Sequence, residues 1–253
     1  MLPINNSDID KIVLVEDVRD NIIKMCDNES DELYSLINNQ HHSLPHVVYA
    51  KPYEDTIKIY GLGDKGLNAI NAIFKNVVMK RTFKIKNEIY TIKGIPTVEG
   101  DIDFLPYNNG RENTYTTITP INVFNKFNHK VFKAILYKHF KDGNFNLEQK
   151  EQVKTFNEEI GTYASEQIKD YIAYLLSKVL KKDKAYFEFV SKIEIKWEDI
   201  RLIHGKYHSE EKRMPMIIGK FRTNFVLPKF VGYKIGKGFG ELSLKTNSVL
   251  RRG

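Results

Sequence analysis

The 253-residue sequence predicts an α+β fold built on antiparallel sheets. Three observations point there. Short segments with strand-type alternation are interleaved with segments whose apolar residues recur at helical spacing. A stretch rich in turn formers, 96–113, holds Pro96, Gly100, Pro106 and Asn108-Asn109-Gly110 and divides the chain in two. Each part then has the size of a small domain, and a content of 42% apolar and 28% charged residues suits a folded chain. The expected domains are 1–110 and 111–253.

The first part opens with an apolar run over 9–15, suited to a strand, and Asp17 can cap a helix running to about Cys26. Residues 27–42 are polar with mixed signals. Strands over 45–53 and 56–62 form a hairpin pair, with Val47 and Tyr49 alternating on one and Ile57 and Ile59 on the other. A helix over 64–75 follows, capped by Asp64, with Leu67, Ile70, Ile73 and Phe74 along one face. Strands at 79–86 and 88–94 turn tightly near Asn87. This β-α-β-β-α-β order, with antiparallel strands and both helices on one face, is what a ferredoxin-like domain requires.

In the second part the β-branched segment 114–119 predicts a strand. A helix over 121–140 carries Phe124, Phe127, Val131, Ile135 and Leu136 on one face. A longer amphipathic helix spans 147–182, and Gly161 is a candidate kink within it. Strands at 187–197, 200–206, 214–227 and 241–245 complete the chain.

Composition excludes several classes. A lone Cys26 rules out an intrachain disulfide framework or a cysteine-based zinc site, and reads as a small core filler. No apolar run approaches the roughly 18 residues that span a bilayer, and the N-terminus lacks a basic start and an apolar core, so the cytoplasm is the expected compartment and no membrane partner is expected. A net charge of +7 permits a polyanionic partner. Its distribution says more: acidic residues gather in 148–170, whereas 229–245 holds four lysines and one acid, Glu241.

That basic stretch is the most informative part of the chain. A strand ending in Lys220-Phe221-Arg222-Thr223-Asn224-Phe225-Val226-Leu227-Pro228 leads into a loop with glycines at 232, 236, 238 and 240. Glycines reach positive φ without a Cβ penalty and let backbone N–H groups approach an anion. Lys229, Lys234 and Lys237 add charge, and Phe239 can support the loop or stack on a base. An ordinary hairpin with a flexible tip would have a similar composition.

A second cluster lies at Gln40-His41-His42-Ser43-Leu44-Pro45-His46-Val47-Val48-Tyr49-Ala50-Lys51. Histidine titrates near neutrality and serves as general acid or base. On a strand, adjacent His41 and His42 would point to opposite faces; in a loop both can enter one site. His46 lies in the strand and is the weaker candidate. Tyr49 has a packing alternative as a half-buried strand tyrosine, and Lys51 a solvated one. A zinc site from His41, His42 and His46 is disfavoured by Pro45 and by the lack of a nearby completing ligand. His204 and His208 read as surface residues of a hairpin, and His129 and His139 as helix residues. Asp101 and Asp103 lack the acidic partners of a two-metal nuclease. No Walker-type phosphate loop or G-x-G-x-x-G match occurs.

The order of Asn224, Leu227, Pro228, Gly232, Gly236, Gly238, Phe239 and Gly240 resembles the C-terminal glycine-rich signature of the CRISPR-associated endoribonucleases that cut precursor CRISPR RNA within its repeats. These belong to the repeat-associated mysterious protein superfamily. The segment Leu44-Pro45-His46-Val47-Val48-Tyr49 resembles their N-terminal signature, with Leu44 in place of the usual aromatic. Ile59-Tyr60-Gly61-Leu62-Gly63 and Thr117-Ile118-Thr119-Pro120 fit the same pattern. The resemblance implies tandem ferredoxin-like, RNA-recognition-motif-like domains and a role in antiviral defence. It implies metal-independent, cofactor-free cleavage of repeat RNA, in which the substrate's 2′-OH attacks the adjacent phosphate. Products would be a 2′,3′-cyclic phosphate and a 5′-OH. On this reading His42 is the principal acid or base, His41 its helper, Tyr49 a donor to the 2′-OH, and Lys51 a charge partner of the phosphate. Lys220, Arg222, Lys229, Lys234 and Lys237 would meet the RNA backbone beside Gly236, Gly238, Phe239 and Gly240, with Arg251 and Arg252 adding non-specific attraction. CRISPR effector complexes and a homodimer are further partners the family admits.

Two other readings compete. A non-catalytic member of the superfamily would hold RNA within an effector complex, using cations and aromatics but no proton-transfer group. An unrelated α+β protein would carry the glycine-rich segment only as a turn.

Overall fold

In the computed structural model, residues 2–3, 15–38, 46–50, 56–85, 88–92, 106–123, 129–140, 150–180, 185–207 and 210–245 are described. They fall into two compact units. The first comprises 1–102 together with 234–238, and the second 103–233 together with 239–253. Every strand pairing among the described residues is antiparallel, and the fold is α+β.

In the first unit β1 (Leu2–Pro3) pairs with β3 (Thr56–Ile57), and β2 (Val47–Tyr49) pairs with β4 (Ile59–Gly61). Three helices cover them: α1 (Val15–Met25), α2 (Asp31–Asn38) and α3 (Gly63–Lys80). The core is formed by Val18 and Ile22 from α1, Ile37 from α2, Val47 and Tyr49 from β2, and Ile73 and Val77 from α3. Helix α2 falls in the stretch of mixed signals. The Ser30 hydroxyl accepts the Leu33 N–H at 3.4 Å, and Asp31 and Glu32 sit in its first turn, both favourable at a helix start.

Helix α3 begins one residue before Asp64, which lies in its first turn rather than at the cap. The cap position belongs to Leu62, whose side chain makes no capping bond. The glycines here serve packing: a Cβ on Gly66 would lie 2.5 Å from the His46 carbonyl oxygen. The helix also runs past the expected strand start at 79 and ends at Arg81, whose φ is 49° and whose N–H donates to Val77. The hairpin of β5 (Thr82–Ile85) and β6 (Glu88–Thr91) follows.

The second unit holds β7 (Asn113–Thr117), α4 (His129–Phe140), α5 (Lys150–Leu180), α6 (Ala185–Ser191), β8 (Ile195–Tyr207), β9 (Glu210–Thr223) and β10 (Leu242–Lys245). Its four strands are ordered β10-β7-β9-β8, so the first and second strands of the unit flank the third. Helices α4 to α6 form the crossover between β7 and β8. That is the split β-α-β arrangement of a ferredoxin-like sheet. Where such a domain has its second helix, between β9 and β10, this chain has the glycine-rich segment.

Three expectations need correction. The segment from Ala185 to Ser191 is helix α6, not the start of a strand, and Phe189 packs edge-on against Phe225 with ring centroids 5.0 Å apart. Ile121 does not open a helix; it bridges to Ile217 by two backbone hydrogen bonds. Gly161 does not divide α5, a continuous 31-residue helix. Instead it makes room for Trp197: a Cβ there would lie 3.2 Å from the indole. One turn on, the Ser165 hydroxyl accepts the indole N–H at 3.1 Å. Trp197, Phe221 and Tyr115 lie in one cross-strand row, with Phe221 5.6 Å from Tyr115 and 4.8 Å from Trp197. This face of the sheet meets α5.

Candidate functional site

The glycine-rich segment is closed at its base like a hairpin. The Val231 N–H donates to the Gly240 carbonyl at 3.0 Å, and the Leu242 N–H to that of Lys229 at 2.9 Å. The base is moored to the chain after β7. Gly240 N–H donates to Pro120, Tyr233 N–H to Asn122, and the Ile118 N–H to Glu241. The Thr119 hydroxyl accepts the Glu241 N–H at 2.8 Å.

Three of the four glycines are needed for their backbone. Gly232, Gly238 and Gly240 have φ of 92°, 82° and 77°. A Cβ on Gly240 would come 1.9 Å from the Val231 carbonyl oxygen. Gly236 lies in a 3-10 turn, Ile235–Lys237, without positive φ; the left-handed position before the turn is taken by Lys234, at φ 62°. A left-handed lysine costs roughly 1–2 kcal/mol of backbone energy. Partial burial holds its ammonium below the usual lysine range.

The tip of this segment, 234–238, belongs to the first unit. Its 3-10 turn packs against β2, and Ile235 is buried. Gly238 lies against Val15 so closely that a Cβ would be 2.6 Å from that side chain. Strand β2 is the one that follows the histidine cluster. His46 stands at its start, with its carbonyl accepting the Leu62 N–H at 2.8 Å. His41, His42 and Lys51 lie outside the described residues, as do Asp101, Asp103, His208, Arg251, Arg252 and the side chain of Lys237.

Tyr49 is fully buried in the first unit's core, and its hydroxyl donates to the Ile37 carbonyl at 3.2 Å. Burial raises the phenol far above the usual tyrosine range. This geometry favours the packing alternative: the side chain ties β2 to α2 and so fixes the strand on which the histidine cluster ends.

On the sheet of the second unit, Lys245, Thr114, Arg222 and Lys196 form one cross-strand row. Lys220 follows two positions before Arg222. A bulge between Trp197 and Asp199 inserts Glu198 beside these cations. Its carboxylate pairs with Lys220 and with Arg222 at 2.7 Å, and Arg222 also meets Glu112 at 2.9 Å. The hydrogen bond from Lys220, helped by the charge of Arg222, holds the Glu198 carboxyl below the usual range. Nothing in the sequence pattern marked these acids, because only the bulge and the strand register bring them to Lys220 and Arg222. Lys229 is part-buried, donating to the Leu242 carbonyl at 2.8 Å and standing 3.4 Å from Glu241.

The remaining candidates are structural. Cys26 is buried and its thiol is pushed up to about 11, chiefly by desolvation. The imidazole Nε2 of His139 lies 3.2 Å from Glu159, and its ring edges against Phe156. Among the described residues no group of three or more His, Cys, Asp or Glu could hold a metal ion, and no helix is long and apolar enough to cross a membrane.

At the level of sequence, no family model and no curated protein matches the chain. The fold is shared with solved structures. One, described as the crystal structure of Cas6b, superposes with a TM-score of 0.60 at 17% identity, covering 95% of this chain and 93% of that one. A second, described as a RAMP protein binding different RNA substrates, gives 0.52 at 15% identity over 97% of each chain. A third, described as the product of a Cas6-related gene from Pyrococcus furiosus, gives 0.52 at 11% identity, over 97% of this chain and 96% of that one. The chain thus has the tandem ferredoxin-like fold of Cas6 and RAMP structures along nearly its whole length.

Proposed function

We propose that this protein is a CRISPR RNA-processing endoribonuclease that cuts repeat RNA without a metal. The observation that carries the reading is the packing of the glycine-rich tip against β2, the strand that follows the histidine cluster. The glycine-rich tip and the segment that carries the histidine cluster then belong to one compact unit.

The chemistry asks little of the protein, because RNA supplies its own nucleophile. A base removes the proton of the 2′-OH, whose oxygen attacks the adjacent phosphorus. The P–O5′ bond breaks, and an acid protonates the departing 5′-oxygen. A 2′,3′-cyclic phosphate and a 5′-OH result. His42 and His41 are the residues for these two transfers, and Lys51 and Lys234 offset charge developing on the phosphorane. Tyr49 acts by holding β2. Lys220, Arg222 and Lys237 meet the RNA backbone. The carboxylate partners of Lys220 and Arg222 are part-exposed, and ion pairs screened by solvent in this way hold weakly, so phosphate can displace them.

Substituting His41 and His42 by alanine, singly, in the full chain tests the assignment. His42→Ala is expected to reduce cleavage about a thousandfold, within the range of one acid–base group, while binding of repeat RNA stays within about threefold, since no phosphate contact is lost. Wild-type binding without any cutting would instead support the second reading, an RNA-holding subunit of an effector complex.

A further inference from the structure

Lys229 and Glu241 face each other across the base of the glycine-rich segment, one at each end, next to the backbone bridge of Phe230 with Glu241. Glu241 has only 7% of its side chain exposed. One carboxylate oxygen stands 3.4 Å from the Lys229 ammonium; the other is buried with no hydrogen-bond partner among the described residues. Lys229 is therefore the cation on which this buried carboxylate depends among the described residues. The same ammonium donates to the Leu242 carbonyl at 2.8 Å, so it grips the opposite strand twice. Glu241 is in turn held by its backbone, receiving the Ile118 and Thr119 N–H groups and donating to the Thr119 hydroxyl.

We infer that Lys229 and Glu241 form a latch that closes the base of the glycine-rich loop, and that Lys229 is a positioning residue, not a phosphate ligand. The inference deepens the reading of the protein as a repeat-RNA endoribonuclease and rests on it for its catalytic consequence. A lysine that neutralises a buried carboxylate cannot leave for a phosphate without stranding that charge, and an unpaired buried carboxylate is strongly disfavoured. The partners of Lys220 and Arg222, by contrast, are solvated enough to yield. The latch thus assigns different duties to cations that look alike in sequence: Lys229 fixes where the loop begins and ends, and the others meet RNA.

The test uses the full-length protein with Lys229→Met, Lys229→Arg, Glu241→Gln and the double variant Lys229→Met/Glu241→Gln. The first arm needs no RNA. In amide hydrogen exchange, the Val231 and Leu242 N–H groups, which close the base, should exchange at least about tenfold faster in Lys229→Met. Amides of β7 and β9 should keep their protection, which separates loop opening from unfolding. Lys229→Arg should restore most of the protection, and the double variant should lose less than the two singles predict. Unchanged exchange at Val231 and Leu242 would overturn the latch.

The second arm measures repeat-RNA binding across salt, and cleavage. A latch predicts an unchanged salt slope in Lys229→Met and a fall in kcat of about ten- to a hundredfold, the scale of a misplaced reaction centre, with Glu241→Gln showing the same kind of loss. A phosphate ligand predicts a slope smaller by about one, with Glu241→Gln silent or tighter-binding; that outcome overturns the inference. If the wild type neither binds nor cuts repeat RNA, the functional reading fails, and the exchange arm still decides the latch.

Discussion

The phenolic oxygen of Tyr115, on β7, accepts the backbone N–H of Leu227 at 2.8 Å, and both residues are buried. This bond holds the Leu227-Pro228 break against the sheet just before the glycine-rich segment begins. Tyr115→Phe removes the acceptor of that N–H and keeps the ring on Phe221. A buried donor left without a partner costs about 1–3 kcal/mol. Tyr171 makes the opposite case, since its buried hydroxyl has no hydrogen-bond partner among the described residues. Tyr171→Phe should therefore be neutral or mildly stabilising. Urea unfolding of the two variants beside the wild type checks both.

Gly240→Ala should damage the loop more than any other single alanine there. It adds a left-handed penalty of roughly 1–2 kcal/mol to a Cβ placed 1.9 Å from a backbone carbonyl. Gly236→Ala meets no positive-φ penalty and should be far milder. Proteolysis near the loop, with thermal unfolding as a control for global stability, distinguishes the pair.

Glu198→Gln should tighten RNA binding. The acid lies between Lys220 and Arg222, and neutralising it leaves two cations readier for phosphate. The salt dependence should steepen by about one to two counterions. A filter-binding titration at several salt concentrations reads this out; weaker binding would mean that Glu198 orders these cations rather than masking them.

Cys26 makes stability fall at alkaline pH. Its folded pKa is about 11, raised first by desolvation and then by Glu29. Below the unfolded value both states keep the proton, so the contribution is intact. As pH rises from about 9 toward 11 the unfolded chain ionises first and stability is lost, on the order of 1–3 kcal/mol. The drop should shrink in Cys26→Ala, and the wild-type thiol should resist alkylation at pH 8 unless the protein unfolds.

Period and turn chemistry carried most of the fold. Alternation around Val47 and Tyr49 marked β2, whereas the strand expected to run to 227 ends at Thr223. Local propensity misled where tertiary packing decided. Ala185-Tyr186-Phe187-Glu188-Phe189-Val190 is aromatic and β-prone, yet it is helical and sets Phe189 on Phe225. Gly161 looked like a break and is instead the space for an indole. In the site, the glycines at 232, 238 and 240 were legible because their backbone conformation demands that residue. The duties of the cations were not. Whether a lysine meets Glu198, Glu241 or solvent depends on a bulge and on strand register, which no local pattern encodes.

The proposed reaction is metal-free attack by the RNA's own 2′-OH. It is tested most directly by incubating the protein in EDTA with a cognate repeat RNA and with a copy carrying one 2′-deoxy nucleotide at the cut site. The first should be cut, with a 2′,3′-cyclic phosphate end, and the second should not. Cutting of the deoxy substrate, or activity that EDTA abolishes and a divalent ion restores, would contradict it.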